Sequence, residues 1–208
     1  MKISYGVTVA DEIKEIQTLL PILINNKSIN DEIVVQYDNQ KVTVEVLEYL
    51  NDLVFDKKIA RLVGYPLNKD FATFKQHLTQ NCEGDWIFQL DADEILDEAL
   101  ITGLGDILNG NPDIDMFFVP RINVVEGLTE AHIQKWRWNV NDKGWVNFPD
   151  VQGRLYRNKQ SIFWAGKVHE QLQGFESYSI FPQDEVYCIK HIKEIERQER
   201  QNALYETI

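Results

Sequence analysis

The chain has 208 residues and no Pro-, Gly- or Ser-rich linker, so one domain over residues 1–208 with a substantial buried core is expected. Hydrophobic residues at 44% and charged residues at 26% exclude a disordered or fibrous chain, and a formal net charge of −12 repels nucleic acid and anionic membrane surfaces. No stretch reaches the roughly twenty apolar residues that span a bilayer, and the start lacks the long apolar core of a signal peptide. A cytoplasmic protein with no transmembrane segment and no nucleic-acid partner is expected, in which a phosphate-bearing ligand needs a local cation or a metal.

Residues 3–9 read as a first strand, and Asp11 is placed to cap a helix whose apolar residues Ile13, Ile16, Leu19, Leu20, Leu23 and Ile24 recur at helical spacing. Pro21 is expected to kink or shorten that helix. Residues 32–37 hold the continuous run Ile33, Val34, Val35 of a strand covered on both faces, ending at Asp38 and Asn39. A helix over 42–50, a third strand over 53–63, a helix carrying Phe71, Phe74 and Leu78 that closes near Gly84, and a fourth strand over 86–90 continue the alternation. Such alternation implies parallel pairing and places a ligand crevice at the carboxyl ends of the strands. Those ends are polar or acidic: Thr8 to Glu12, Asp38 with Asn39, and Asp91 to Glu94.

Beyond Glu94 a short helix over 97–108 and a long strand over 116–125 lead into a region of short β-type runs, 153–157 and 162–164. Trp136, Trp138, Trp145 and Trp164 are expected to wall a pocket or fill a second core. The tail, 194–208, reads as a charged amphipathic helix that packs on the body. Cys82 and Cys188 stand outside any close-spaced ligand set and read as buried thiols.

The run Gly84, Asp85, Trp86, Ile87, Phe88, Gln89, Leu90, Asp91, Ala92, Asp93, Glu94 ends a buried-type strand in three carboxylates. If the chain is still extended there, Asp91 and Asp93 point the same way and can share one hard divalent cation with a substrate phosphate. Taken alone, Asp-x-Asp is equally the composition of a solvated acidic turn.

This run, with Asp70, Phe71, Ala72, Thr73, Phe74, Lys75 and Gln76 before it, resembles the family-2 glycosyltransferases of the GT-A fold, which transfer a sugar from a nucleotide donor with inversion. A second segment, Pro149, Asp150 through Arg154, Leu155, Tyr156, Arg157, Asn158 to Gly166, Lys167, Val168, His169, Glu170, is similar to the "RLFRn...g.vHE" stretch of small bacterial and viral members. The resemblance implies an α/β GT-A (Rossmann-like) domain with a mostly parallel central sheet flanked by helices. Residues 1–95 would bind the nucleotide-sugar, and a smaller β-rich half, 96–208, the acceptor. It implies a hexosyltransferase using a UDP-sugar with Mn2+ or Mg2+, and an acceptor that is most simply a saccharide.

By the same resemblance Asp93, Asp91 and the carboxy-terminal His191 are metal ligands, Asp91 also serving the donor ribose or a metal-bound water. Thr8, Ala10, Asp11, Glu12, Asp38, Lys75, Asp91, Ala92, Arg154 and Lys193 are donor-binding residues, with Lys190 as the alternative to Lys193 at the diphosphate and Arg157 beside Arg154 in the acceptor half. The sequence departs from the family in two places. Lys75 and Gln76 stand where Arg and Asn are usual, and the tripeptide ending in Glu-Asp that carries the catalytic base is missing; Glu170, or else His169, is the candidate base in its stead. A nucleotidyltransferase is the second reading, although residues 9–16 lack the glycine-rich triphosphate loop. A non-catalytic nucleotide-sugar or carbohydrate-binding module on the same scaffold is the third.

Overall fold

The computed structural model describes residues 1–205. Strand β1 (Ile3–Val9) is buried throughout and is followed by helix α1 (Ile13–Asn26), strand β2 (Glu32–Asp38), helix α2 (Val44–Phe55), strand β3 (Arg61–Tyr65), helix α3 (Phe71–Gln80) and strand β4 (Trp86–Asp91). The four strands pair in parallel in the order β3-β2-β1-β4, as the alternation requires.

Period-two alternation sorts these strands onto two cores. Ile33, Val35, Trp86, Phe88 and Leu90 join Leu19, Leu20, Leu23, Leu50 and Leu104 on one face. Val34 and Ile87 point the other way, against Leu78, Met116, Tyr156, Trp164 and Leu172. Trp164 thus fills a second core, whereas Trp136, Trp138 and Trp145 are half-buried; Trp136 and Trp138 lie against each other with ring centres 4.6 Å apart, and Trp145 lies against Phe148.

Several local expectations change. Pro21 does not shorten α1, because it and Gln17, whose carbonyl loses its usual N–H partner, are both exposed and water can serve that oxygen. The α1 N-cap is Glu12 rather than Asp11, and neither side chain caps the helix. α2 runs on to Phe55 because Val46, Tyr49, Leu50 and Leu53 keep helical spacing against the core, so the third strand begins only at Arg61. α3 is capped by Asp70, whose carboxylate accepts from Thr73 N at 3.0 Å, and ends at Gln80. Gly84 serves a close approach instead: a Cβ there would lie 2.6 Å from Ser4 N.

The second half supplies β5 (Glu94–Ile95), α4 (Glu98–Asn109), β6 (Met116–Glu126), α5 (Glu130–Trp136), β7 (Val146–Arg157), β8 (Phe163–Ala165), β9 (Gln171–Gln173), β10 (Tyr178–Ile180), a 3-10 turn (Glu185–Tyr187), β11 (Ile189–Glu194) and α6 (Ile195–Tyr205). β7 enters antiparallel between β4 and β6, and β11 lies parallel to β6. The sheet is therefore mostly parallel, with β4, β6 and β11 presenting their carboxyl ends on the same side. β8 and β9 form a separate hairpin whose loop carries Gly166 to Glu170. The expected tail helix is present as α6; residues 206–208 of that expectation lie outside the described ones. No helix among the described residues is long and apolar enough to cross a membrane.

Candidate active site

β4 ends at Asp91, and Ala92 and Asp93 form a turn rather than continuing the strand. The two aspartates therefore do not project together as an extended chain would dictate, and each meets its own set of partners.

Asp91 accepts from Thr8 Oγ1 at 2.7 Å, from Arg154 Nη2 at 2.9 Å and from Lys75 Nζ at 3.4 Å. Burial works against its charge, but Lys75, Arg154 and Thr8 outweigh it and hold the carboxyl well below the usual range. Lys75, itself buried, lies 2.7 Å from Glu170 Oε1 and under the face of Trp164. The β8–β9 loop thus reaches the end of β4, and Lys167 O, accepting from Phe71 N at 2.9 Å, ties it to α3. Glu170 is half-buried within this cluster; His169 is exposed, at φ 55°.

Asp93 is buried at the end of β11. Its Oδ2 lies 3.3 Å from His191 Nε2, 3.6 Å from Lys193 Nζ and 3.5 Å from Arg197 Nη2. Here too burial opposes ionisation, and His191, Lys193 and Arg197 overcome it, so the carboxyl sits far below the usual range. Burial in turn lowers the pKa of His191 and of Lys193. Alternation along β11 buries His191 and Lys193 on one face and turns Lys190 to the other, so Lys193 is the lysine at Asp93. Arg197, from α6, also pairs with Glu12 and Glu15. Burial raises the Glu12 carboxyl.

Between the two clusters runs a buried ionic link. Glu94, fully buried, accepts from Arg154 Nη2 at 2.7 Å and Arg121 Nη1 at 3.0 Å, while its Oε2 accepts from Asp91 N. Glu94→Ala leaves the buried Arg154 guanidinium and the half-buried Arg121 one short of an acceptor and is expected to cost about 3–5 kcal/mol. A urea midpoint equal to that of the unaltered protein contradicts this role.

Other expected donor residues lie at or near the carboxyl ends of β1, β2 and β4. Ala10 N donates to Glu12 Oε2 at 2.6 Å, Ala92 N donates to Thr8 O at 2.9 Å, and Asp11 is exposed. Asp38, at the end of β2, accepts from Gln40 N and Leu67 N through Oδ1; its buried Oδ2 has no hydrogen-bond partner among the described residues. Arg154 is buried, and its Nε and Nη1 likewise lack partners among them. Arg157 falls outside the site: β7 runs antiparallel to β4 and pairs it with Trp86 at the amino end, where it bonds Ile114 O and Pro112 O. Arg121 and Asn123 carry no signal in the sequence, and Asp150 stands there only as part of the second matched segment. Arg197 lay in a helix expected only to pack, and nothing in its heptad distinguishes it from its neighbours.

Asp93 and His191 would give a divalent cation one oxygen and one nitrogen, and that cation would have to displace Lys193 and Arg197, which stand 3.6 and 3.5 Å from the same carboxylate oxygen. A carboxylate oxygen and an imidazole nitrogen face each other from different elements, and a mixed oxygen and nitrogen set suits Mn2+ better than Mg2+. Among the described residues no group of three or more His, Cys, Asp or Glu side chains surrounds a common point, so the protein offers part of a shell.

No protein-family model and no curated protein matches the chain. Solved structures do. Residues 1–349 of S. aureus TarS in complex with UDP align with a TM-score of 0.66 at 14% identity, over 92% of this chain and 60% of that one. The same piece in complex with UDP-GlcNAc gives 0.63 at 16%, over 93% and 59%. A longer TarS structure gives 0.64 at 14%, over 92% of this chain and 37% of that one. The chain thus spans at most about 60% of these neighbours. Likeness at such identity establishes the fold, a Rossmann-like GT-A arrangement.

Proposed function

We propose that this chain is a metal-dependent, inverting glycosyltransferase that moves a hexosyl group from a UDP-sugar to an acceptor hydroxyl, most simply on a saccharide. The observation that supports it best is the Asp93 and His191 pair at the carboxyl ends of the strands, with Lys193 and Arg197 on the same carboxylate oxygen. An acidic protein has gathered its buried cations where a diphosphate would lie in such a fold. The solved complexes of TarS with UDP and UDP-GlcNAc, on the same fold, point to a uridine donor.

Asp93 and His191 would hold Mn2+, and substrate phosphate oxygens and water would complete its shell. When bound, that ion neutralises charge growing on the leaving diphosphate. Lys193 and Arg197 add fixed positive charge there. Asp38 Oδ2, buried and without a partner, accepts the base N–H, and backbone groups of Thr8 and Ala10 line the uridine. Asp91, fixed by Thr8, Lys75 and Arg154, accepts from the ribose.

Glu170 acts as general base. The acceptor oxygen bonds the anomeric carbon on the face opposite the diphosphate, the bond to the leaving oxygen breaks with its electron pair, and the acceptor proton passes to Glu170. Lys75 fixes the Glu170 carboxylate and, through Asp91, ties it to the donor. Hydrolysis of a UDP-sugar panel with and without Mn2+ tests the reading. Release of UDP that stops in chelator is expected. Pyrophosphate release from UTP would indicate a nucleotidyltransferase, and tight UDP binding with inert donors a binding module.

A further inference from the structure

α6 follows β11 without a break and begins at Ile195, whose side chain lies so close to the end of β6 that a Cβ on Gly127 would stand 3.0 Å from it. Ile195 is buried; beyond it none of the described α6 side chains is, and the helix is held instead by polar contacts. Arg197 reaches three carboxylates. Its Nη1 lies 3.0 Å from Glu15 Oε1, and its Nη2 pairs with Glu12 Oε1 and stands 3.5 Å from Asp93 Oδ2. Glu199 Oε1 lies 3.6 Å from His132 Nε2 on α5. Ion pairs of partly exposed groups are individually weak and weaken further with salt, and a helix with little apolar burial belongs to the part of a fold that opens most readily.

The donor end of the site is shut beneath this helix. The side chains of Asp93, His191 and Lys193 are 7, 9 and 8% exposed, while Arg197, the outermost of the four, is 25% exposed. A diphosphate cannot reach groups so covered while Arg197 bridges the start of α1 and Asp93. We propose that α6 is a lid over the donor end of the site, hinged at Ile195 and latched by Arg197, and that it must lift before a nucleotide-sugar can enter; this rests on the glycosyltransferase reading given above. The contacts are arranged for it. The apolar anchor is the first residue of the helix and the ionic ones lie beyond it, so the helix can swing while Ile195 stays packed, and opening exchanges ion pairs for water without uncovering further apolar side chains among those described. Closing over a bound donor returns the Arg197 guanidinium to the site, where the diphosphate takes the place of the carboxylates as its partner.

Stopped-flow mixing with a fluorescently labelled UDP in the presence of Mn2+ tests it. Arg197→Ala is expected to raise the association rate about threefold or more, as the loss of three weak ion pairs allows. The sign separates a latch from a charge that merely attracts the ligand: removing a positive group from a site for an anion would by itself slow association. A rate in the variant at or below that of the unaltered protein therefore overturns the lid. Amide hydrogen exchange gives a second measurement, which in the unaltered protein needs no variant to fold. The α6 amides are expected to exchange about tenfold or more faster than those of β1 and β4, and Arg197→Ala should quicken α6 further while leaving β4 as it was. α6 amides that exchange only as slowly as those of the sheet overturn the lid and leave the glycosyltransferase reading in place. No binding of UDP by either protein overturns both.

Discussion

Asp93→Ala is expected to abolish the Mn2+-dependent part of UDP binding, a loss of about a hundredfold or more in affinity. His191 alone then remains of the two protein donors, and an isolated imidazole holds Mn2+ poorly. The sign of the effect in chelator is the sharper test. In the unaltered protein the Asp93 carboxylate neutralises Lys193 and Arg197 at 3.6 Å or less. Its removal frees that positive charge for the diphosphate, so metal-free UDP binding should be retained or strengthened even as the metal response disappears. Calorimetry of UDP with Mn2+ and with chelator reads both quantities. A variant whose UDP affinity still rises with Mn2+ as in the unaltered protein removes the metal from Asp93. Asp93→Asn, which keeps the side chain's volume, guards against an effect of a cavity.

The parallel half of this fold is legible where its strands carry short apolar runs, Ile33 to Val35 and Trp86 to Phe88, between helices with an apolar stripe; β3 has no run that long. Val34 against Ile33 and Val35 shows how: both sheet faces are buried, so the strand needs no polar alternation and stands out from the helices around it. Boundaries were less legible where two readings share residues. Leu53 is apolar in a helix stripe and equally apolar as the start of a strand, and only packing against the core decides. The antiparallel insertion of β7 was not legible, since nothing local in residues 146–157 says that they enter between β4 and β6.

Site residues divide on the same principle. Those in a contiguous motif, Asp91, Asp93 and Glu170, could be found by resemblance, and the structure brings Asp91 and Glu170 to one lysine, Lys75. The turn at Ala92 could not be read, and it separates the aspartates. What reconnects them is long-range: from Asp93 through His191, Asn123, Asp150, Arg121, Glu94 and Arg154 back to Asp91, neighbouring side chains stand in hydrogen-bonding or ion-pair contact. Its members come from β4, β5, β6, β7 and β11, and no spacing along the chain announces it. Networks of this kind rigidify a site when every member is satisfied, and here Arg154 Nε and Nη1 stay without partners among the described residues.

Glu170→Gln is expected to keep UDP affinity within about twofold and to lower donor hydrolysis by about a hundredfold or more, the usual worth of a general base. Hydrolysis suffices as the assay because water attacking the anomeric carbon must also lose a proton, so the unidentified acceptor is not needed. Binding should survive for a structural reason. Lys75 loses the negative charge of its partner at 2.7 Å, but the amide oxygen can still accept from it, and Asp91 at 3.4 Å and the face of Trp164 remain, so the donor side of the cluster is left standing. A Lys75→Met variant gives the opposite pattern, weakening donor binding as well, since it releases both carboxylates at once. His169 is exposed and carries its side chain from a left-handed backbone position, so His169→Ala should cost far less than Glu170→Gln. Undiminished hydrolysis in Glu170→Gln would move the base elsewhere. Asp150 would be a poor substitute, because Arg121, Asn123 and Gln152 already occupy its oxygens and, against the effect of burial, keep its carboxyl below the usual range. A proton acceptor so well satisfied gains little from taking a proton, whereas Glu170 has Lys75 on one oxygen.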